Sequence, residues 1–136
     1  MKLKIYLGQL LIVALLLTGC SMSYTTATII EPGMTTAVVD GNPVDKVKVY
    51  SREDSQLFAY GTLNHAPEGT QIRFVWKYLT EQQIIHEVGV TSEGESGVYV
   101  FSTLVNDGPW PRGDYSVEIF IDDRDEPDAI AEFSIK

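Results

Sequence analysis

From residue 45 to the end of the chain, apolar and polar positions alternate in short runs separated by turn-forming clusters. No stretch sustains a helical period, so the pattern predicts an all-β domain. Residues 47–50 open the series and Ser51-Arg52-Glu53-Asp54 turns it. Residues 56–63 follow, closed by Asn64-His65-Ala66-Pro67-Glu68-Gly69. In the run 70–79, Ile72, Phe74, Trp76 and Tyr78 share one face, against Arg73, Val75 and Lys77. Residues 83–91 lead to the acidic turn 92–97, and residues 98–105 lead to Asn106-Asp107-Gly108-Pro109. The run 115–121 sets Tyr115, Val117, Ile119 and Ile121 opposite Ser116, Glu118 and Phe120. The last run, 129–135, alternates Ala129, Ala131, Phe133 and Ile135 with Glu132 and Ser134. Seven runs of this kind, each with one apolar face, predict a two-sheet sandwich.

The first 44 residues read differently. Lys2 and Lys4 precede an apolar run over residues 7–17, too short to span a bilayer and placed where a signal peptide carries its apolar core. The run ends in Leu17-Thr18-Gly19-Cys20, and Cys20 is the single cysteine. These residues resemble the processing site of bacterial lipoproteins. That resemblance implies a diacylglyceryl group on Cys20, cleavage before it, and a protein held on a membrane by acyl chains. In a Gram-negative cell, Ser21 resembles the outer-membrane address of that family. A plain secretory signal would leave a lone thiol with no disulfide partner, whereas lipidation gives it a role. Residues 21–44 are rich in Ser, Thr and Gly with two prolines. They read as a tether, although residues 24–30 also have strand propensity and suit an edge strand. The expected organisation is a cleaved signal over 1–19, lipidated cysteine and tether over 20–44, and a sandwich over 45–136.

Charge narrows the partners. Loss of residues 1–19 leaves 8 basic and 19 acidic residues, a formal charge of −11. Such a surface repels phosphate backbones and anionic headgroups, which argues against nucleic-acid binding and electrostatic membrane docking. With Cys20 lipidated, no thiol is left for a disulfide or a metal.

Trp76 in the middle of its run and Tyr115 within Gly113-Asp114-Tyr115-Ser116-Val117 resemble the core tryptophan and tyrosine corner of immunoglobulin-like domains. Val117 stands where that family has its strand-F cysteine, so the chain is closer to disulfide-free members such as fibronectin type III modules. The stretch 110–119 with the closing Ala131-Glu132-Phe133-Ser134-Ile135 also looks like the end of immunoglobulin-like domains in exported bacterial proteins. That architecture hosts unrelated activities and names none.

Candidate chemistry is sparse. Residues 122–128 (Asp-Asp-Arg-Asp-Glu-Pro-Asp) could present oxygens to Ca²⁺, but they lack the spaced ligands and glycine of a calcium loop and enclose Arg124. A solvated hairpin is the simpler reading. His65 and His86 are too dispersed for a metal site. No G-x-S-x-G elbow or glycine-rich phosphate loop occurs, so neither catalytic residues, nor a metal, nor a cofactor is assigned. Trp110, between two prolines and near Arg112, either anchors a partner or plugs the end of the sandwich. Phe58, Tyr60, Tyr99 and Phe101 fall on faces opposite the expected core, as cover for a sheet or as a patch for a partner or sugar rings. The resulting expectation is a lipid-anchored, non-catalytic binding or accessory module of the cell envelope, with Trp110, Arg112 and Phe101 as partner-binding candidates. A small enzyme or glycan-processing factor using surface carboxylates, or a purely structural envelope lipoprotein, are the alternatives.

Overall fold

The computed structural model describes residues 26–136; the signal segment, Cys20, Ser21 and Tyr24 lie outside the described residues. Ten strands form among them: β1 (Thr28–Thr35), β2 (Val38–Val39), β3 (Asn42–Pro43), β4 (Val49–Tyr50), β5 (Gln56–Asn64), β6 (Gln71–Tyr78), β7 (Gln83–Thr91), β8 (Val98–Val105), β9 (Gly113–Ile121) and β10 (Ala129–Ile135). One sheet runs β1-β5-β8 and the other β4-β10-β9-β6-β7, while β2 and β3 pair as a small hairpin. Every pairing in the two sheets is antiparallel except β4 with β10, which is parallel. The protein is an all-β sandwich.

Period-two patterning decides which side chains enter the core. Ile72, Phe74 and Trp76 on β6, Val117, Ile119 and Ile121 on β9, and Ala131, Phe133 and Ile135 on β10 are buried between the sheets. Leu57, Ala59 and Leu63 of β5 meet them from the smaller sheet. Aromatic edges lock the middle. Phe133 stacks on Tyr115 at 5.0 Å and takes the edges of Trp76 and Tyr50 at 6.1 and 5.6 Å.

The segment expected as a tether contributes a strand of the sandwich. Ile29 and Met34 of β1 are buried, and β1 pairs along β5 from Thr28↔Asn64 to Thr35↔Phe58, with a bulge at Glu31 and Pro32. Residues 28–43 therefore belong to the folded domain. Two side-chain clamps hold this strand. Arg124 donates from Nη2 to the Ala27 carbonyl (3.0 Å) and pairs with Asp128, whose other oxygen accepts the Ile29 amide (3.1 Å). At the far end Asp45 accepts from the Thr35 and Thr36 hydroxyls, each at 2.7 Å. The run expected at 47–50 shortens to the two residues of β4.

On one long side β1 lies against β10, with the short β4 beyond it, and Asp128 just before β10 accepts the Ile29 amide. Among the described residues, the other long side stays open. There β7 is the last strand of the five-stranded sheet and β8 the last of the three-stranded one.

Candidate binding site

Of the two roles open to Trp110, anchor or plug, its burial fits the plug. Its side chain is 5% exposed. Its amide donates to Arg52 O (3.0 Å), Arg52 Nε donates back to Trp110 O (3.0 Å), and the indole N–H donates to Asp54 O. These contacts turn the ring inward as a plug at the end of the sandwich, so Trp110 is not an outward anchor. Burial of a large ring outweighs the stiffening by its flanking prolines. Arg112 is exposed, and its carbonyl accepts the Tyr78 hydroxyl at 2.7 Å. Its charge, with that of Arg52, adds to the hydrogen bond from Ser51 that holds the Glu53 carboxyl below its ordinary pKa. Tyr115 reaches back to Pro111 O at 2.5 Å, closing a tyrosine corner on the same loop.

Beside this plug the open side forms a cleft of about 320 Å³. Trp110, Tyr78 and Tyr115 line it, with Ile85 of β7 and Leu104 of β8 on its walls. Strand β7 has no buried residue along its whole length, whereas its neighbour β6 is largely buried. Register explains why. Trp76 pairs with His86, Phe74 with Val88 and Ile72 with Val90, so these β7 residues take the core-facing side. Val88 and Val90 pack against the margin of the core yet stay half-buried, and His86 is exposed, because among the described residues the smaller sheet stops at β8 and covers β7 only in part. The five-stranded sheet overhangs the three-stranded one. Ile85 is a bulge residue, since Trp76 pairs with His86 and Lys77 with Ile84, and it leans into the cleft.

The outer face of the smaller sheet carries the aromatic group. Tyr60 pairs across to Phe101, and Tyr99 lies two positions along β8. Their ring centroids are 5.9 Å apart for Tyr60–Tyr99, 6.4 Å for Tyr60–Phe101 and 5.9 Å for Tyr99–Phe101. Tyr60 is buried under its neighbours, which raises its phenol pKa above the ordinary value. It lies so close over Gly33 that an added Cβ would meet its hydroxyl at 2.5 Å. Tyr99 and Phe101 remain open to solvent in part, and Phe58 joins them at half-burial. Phe101 therefore sits on an accessible aromatic face.

Trp110 and Phe101 do not meet; β8 lies between them. Its core side borders the Trp110 cleft through Leu104, and its outer side carries Tyr99 and Phe101. Residues 98–105 contain no charged residue, proline or glycine. Edge strands are commonly guarded by such residues. That composition was visible in the sequence, but its position at a sheet edge was not.

The acidic segment 122–128 is a turn between β9 and β10, and Arg124 is spent on Asp128 and Ala27. No group of three or more metal-ligating side chains converges among the described residues. His65 sits in an exposed turn with positive φ, its amide bonded to Ser96 Oγ (3.0 Å).

No protein-family model matches the chain, and no curated protein matches it. Solved structures similar in shape include the alkylpurine DNA glycosylase AlkC of Pseudomonas fluorescens bound to DNA containing an abasic-site analogue. It is 12% identical, with a TM-score of 0.49, over 82% of this chain and 31% of that one. The chain thus spans under a third of the glycosylase. The C-terminal domain of Wzt is 12% identical, with a TM-score of 0.49, over 85% of this chain and 76% of that domain. Neither likeness bears on what this chain binds.

Proposed function

We propose that the protein is a lipid-anchored module of the cell envelope that works by binding another envelope protein. The observation that carries this reading is the open side of the sandwich, where an uncharged edge strand, an aromatic face and a cleft of mixed lining adjoin, the cleft's aromatic and aliphatic wall being rimmed by Glu81, Gln83 and Asn106. Monomeric domains rarely leave a contiguous apolar surface of this kind without a partner. The anchor rests on Cys20 and the residues before it.

The same anchor sets the orientation. Ala27 is only seven residues beyond Cys20, a reach of about 25 Å at full extension. The Arg124 clamp fixes Ala27 at the end that carries the loops 65–70, 92–97 and 122–128. These acidic loops face the membrane, and the Trp110 end points away.

Photocrosslinking in native envelopes tests the reading, with a photoreactive residue at Phe101 or Leu104 and a control at Lys136. The expected result is one discrete protein adduct from Phe101 and Leu104, absent from Lys136. Adducts indistinguishable among the three positions, or none, would overturn it. Cys20→Ala tests the anchor separately, with transfer of the protein out of the membrane fraction as the expected result.

A further inference from the structure

We propose that β8 accepts an extended segment of the partner protein as a fourth strand of the three-stranded sheet, and that this segment alternates apolar with basic residues. The inference rests on the binding role proposed above and specifies its mode. The geometry is incomplete in one direction only. β7 keeps a core-facing row of His86, Val88 and Val90 that is only partly covered: Val88 and Val90 rest on the margin of the core, His86 is exposed, and among the described residues the facing sheet ends at β8. A strand added to β8 fills that place. It uses the backbone groups of the free β8 edge, the usual source of affinity in strand addition.

Side-chain chemistry follows from the two faces. Alternate residues of the incoming strand point between the sheets, towards Val88, Ile85 and the cleft at Leu104, and are therefore apolar. The others point outward beside Tyr99 and Phe101. Cations suit those ring faces, and the formal charge of −9 on the whole chain favours a basic segment over an acidic one. The same charge disfavours a second copy of this chain as the donor, since two acidic domains repel and 98–105 brings no base. Eight residues of β8 offer a ladder about 27 Å long.

Synthetic nine-residue peptides test this against the full mature chain in detergent. One alternates valine with lysine, and one alternates valine with glutamate. Two further valine–lysine peptides are N-methylated, at the valines in one and at the lysines in the other. By NMR, the plain valine–lysine peptide should slow amide exchange in β8 and shift residues 98–105 first. The glutamate peptide should bind at least about tenfold more weakly. Only one edge of an added strand faces β8, so one N-methylated peptide should lose about tenfold or more in affinity while the other keeps it. Absence of binding by the valine–lysine peptide, equal binding of both methylated peptides, or protection confined to β7 would overturn strand addition at β8. A discrete crosslink from Phe101 combined with any of those results would leave a binding module that recognises its partner by another route.

Discussion

The Tyr115 hydroxyl donates to the Pro111 carbonyl at 2.5 Å, four residues upstream, and so ties the start of β9 to the loop that carries Trp110. The same ring stacks on Phe133 in the core. Tyr115→Phe keeps the stacking and removes only the hydroxyl. A loss of about 1–3 kcal/mol is expected, because the Pro111 carbonyl is left without this donor. Urea unfolding with an unchanged slope checks it.

Tyr115 also predicts an alkaline limit. Burial pushes its phenol from 10.0 up to about 12, with smaller contributions from Tyr78 and Glu81. The neutral phenol is favoured in the fold, so its contribution is complete below pH 10 and is lost as pH rises towards 12. Thermal melts across that range should fall less steeply for Tyr115→Phe than for the parent. Equal slopes would show that the phenol is not held neutral by folding.

On the acid side Asp45 gives the opposite sign. Hydrogen bonds from Thr36 and Thr35 hold its carboxyl below 3.8, so its contribution is present above 3.8 and is lost as pH falls through the lower folded value. Asp45→Asn should flatten acid unfolding in that window. It should also speed amide exchange at Thr36, whose N–H donates to Asp45 at 2.8 Å.

Trp76 bridges the sheets through its indole N–H, which donates to Ser102 Oγ at 2.8 Å in a fully buried setting. Ser102→Ala strands that donor, and a cost of about 1–3 kcal/mol is expected. A double-mutant cycle with Trp76→Phe should show coupling. Additive effects would contradict the bridge.

Trp110 as a plug makes a prediction distinct from a binding anchor. Trp110→Ala should lower stability by about 3–5 kcal/mol by opening a cavity. Partner crosslinking from Phe101 should survive Trp110→Phe, which largely refills the space. Loss of the crosslink with stability retained would restore the anchor reading.

Alternation along the chain determined the fold class and most core-facing positions, because a strand's two faces are written in neighbouring residues. Ile72, Phe74, Trp76, Val117, Ile119 and Phe133 are buried as their spacing required. The outward placement of Tyr60, Tyr99 and Phe101 was legible for the same reason. Three matters were not local. Residues 21–44 read as a tether with an edge strand possible only over 24–30, whereas pairing with β5 and the Arg124–Asp128 clamp make 28–35 a strand. Val75 and Phe120 alternate outward yet are buried; Arg73 packs over the Phe120 ring at 4.6 Å. Trp110 turned inward because Arg52 and Asp54, more than 50 residues away, supply its hydrogen-bond partners. Whether a strand is central or at an edge depends on which strands pair with it. Only the tertiary structure could therefore leave one edge of β8 without a neighbouring strand among the described residues, beside an overhanging β7, and the proposed site rests on that mismatch.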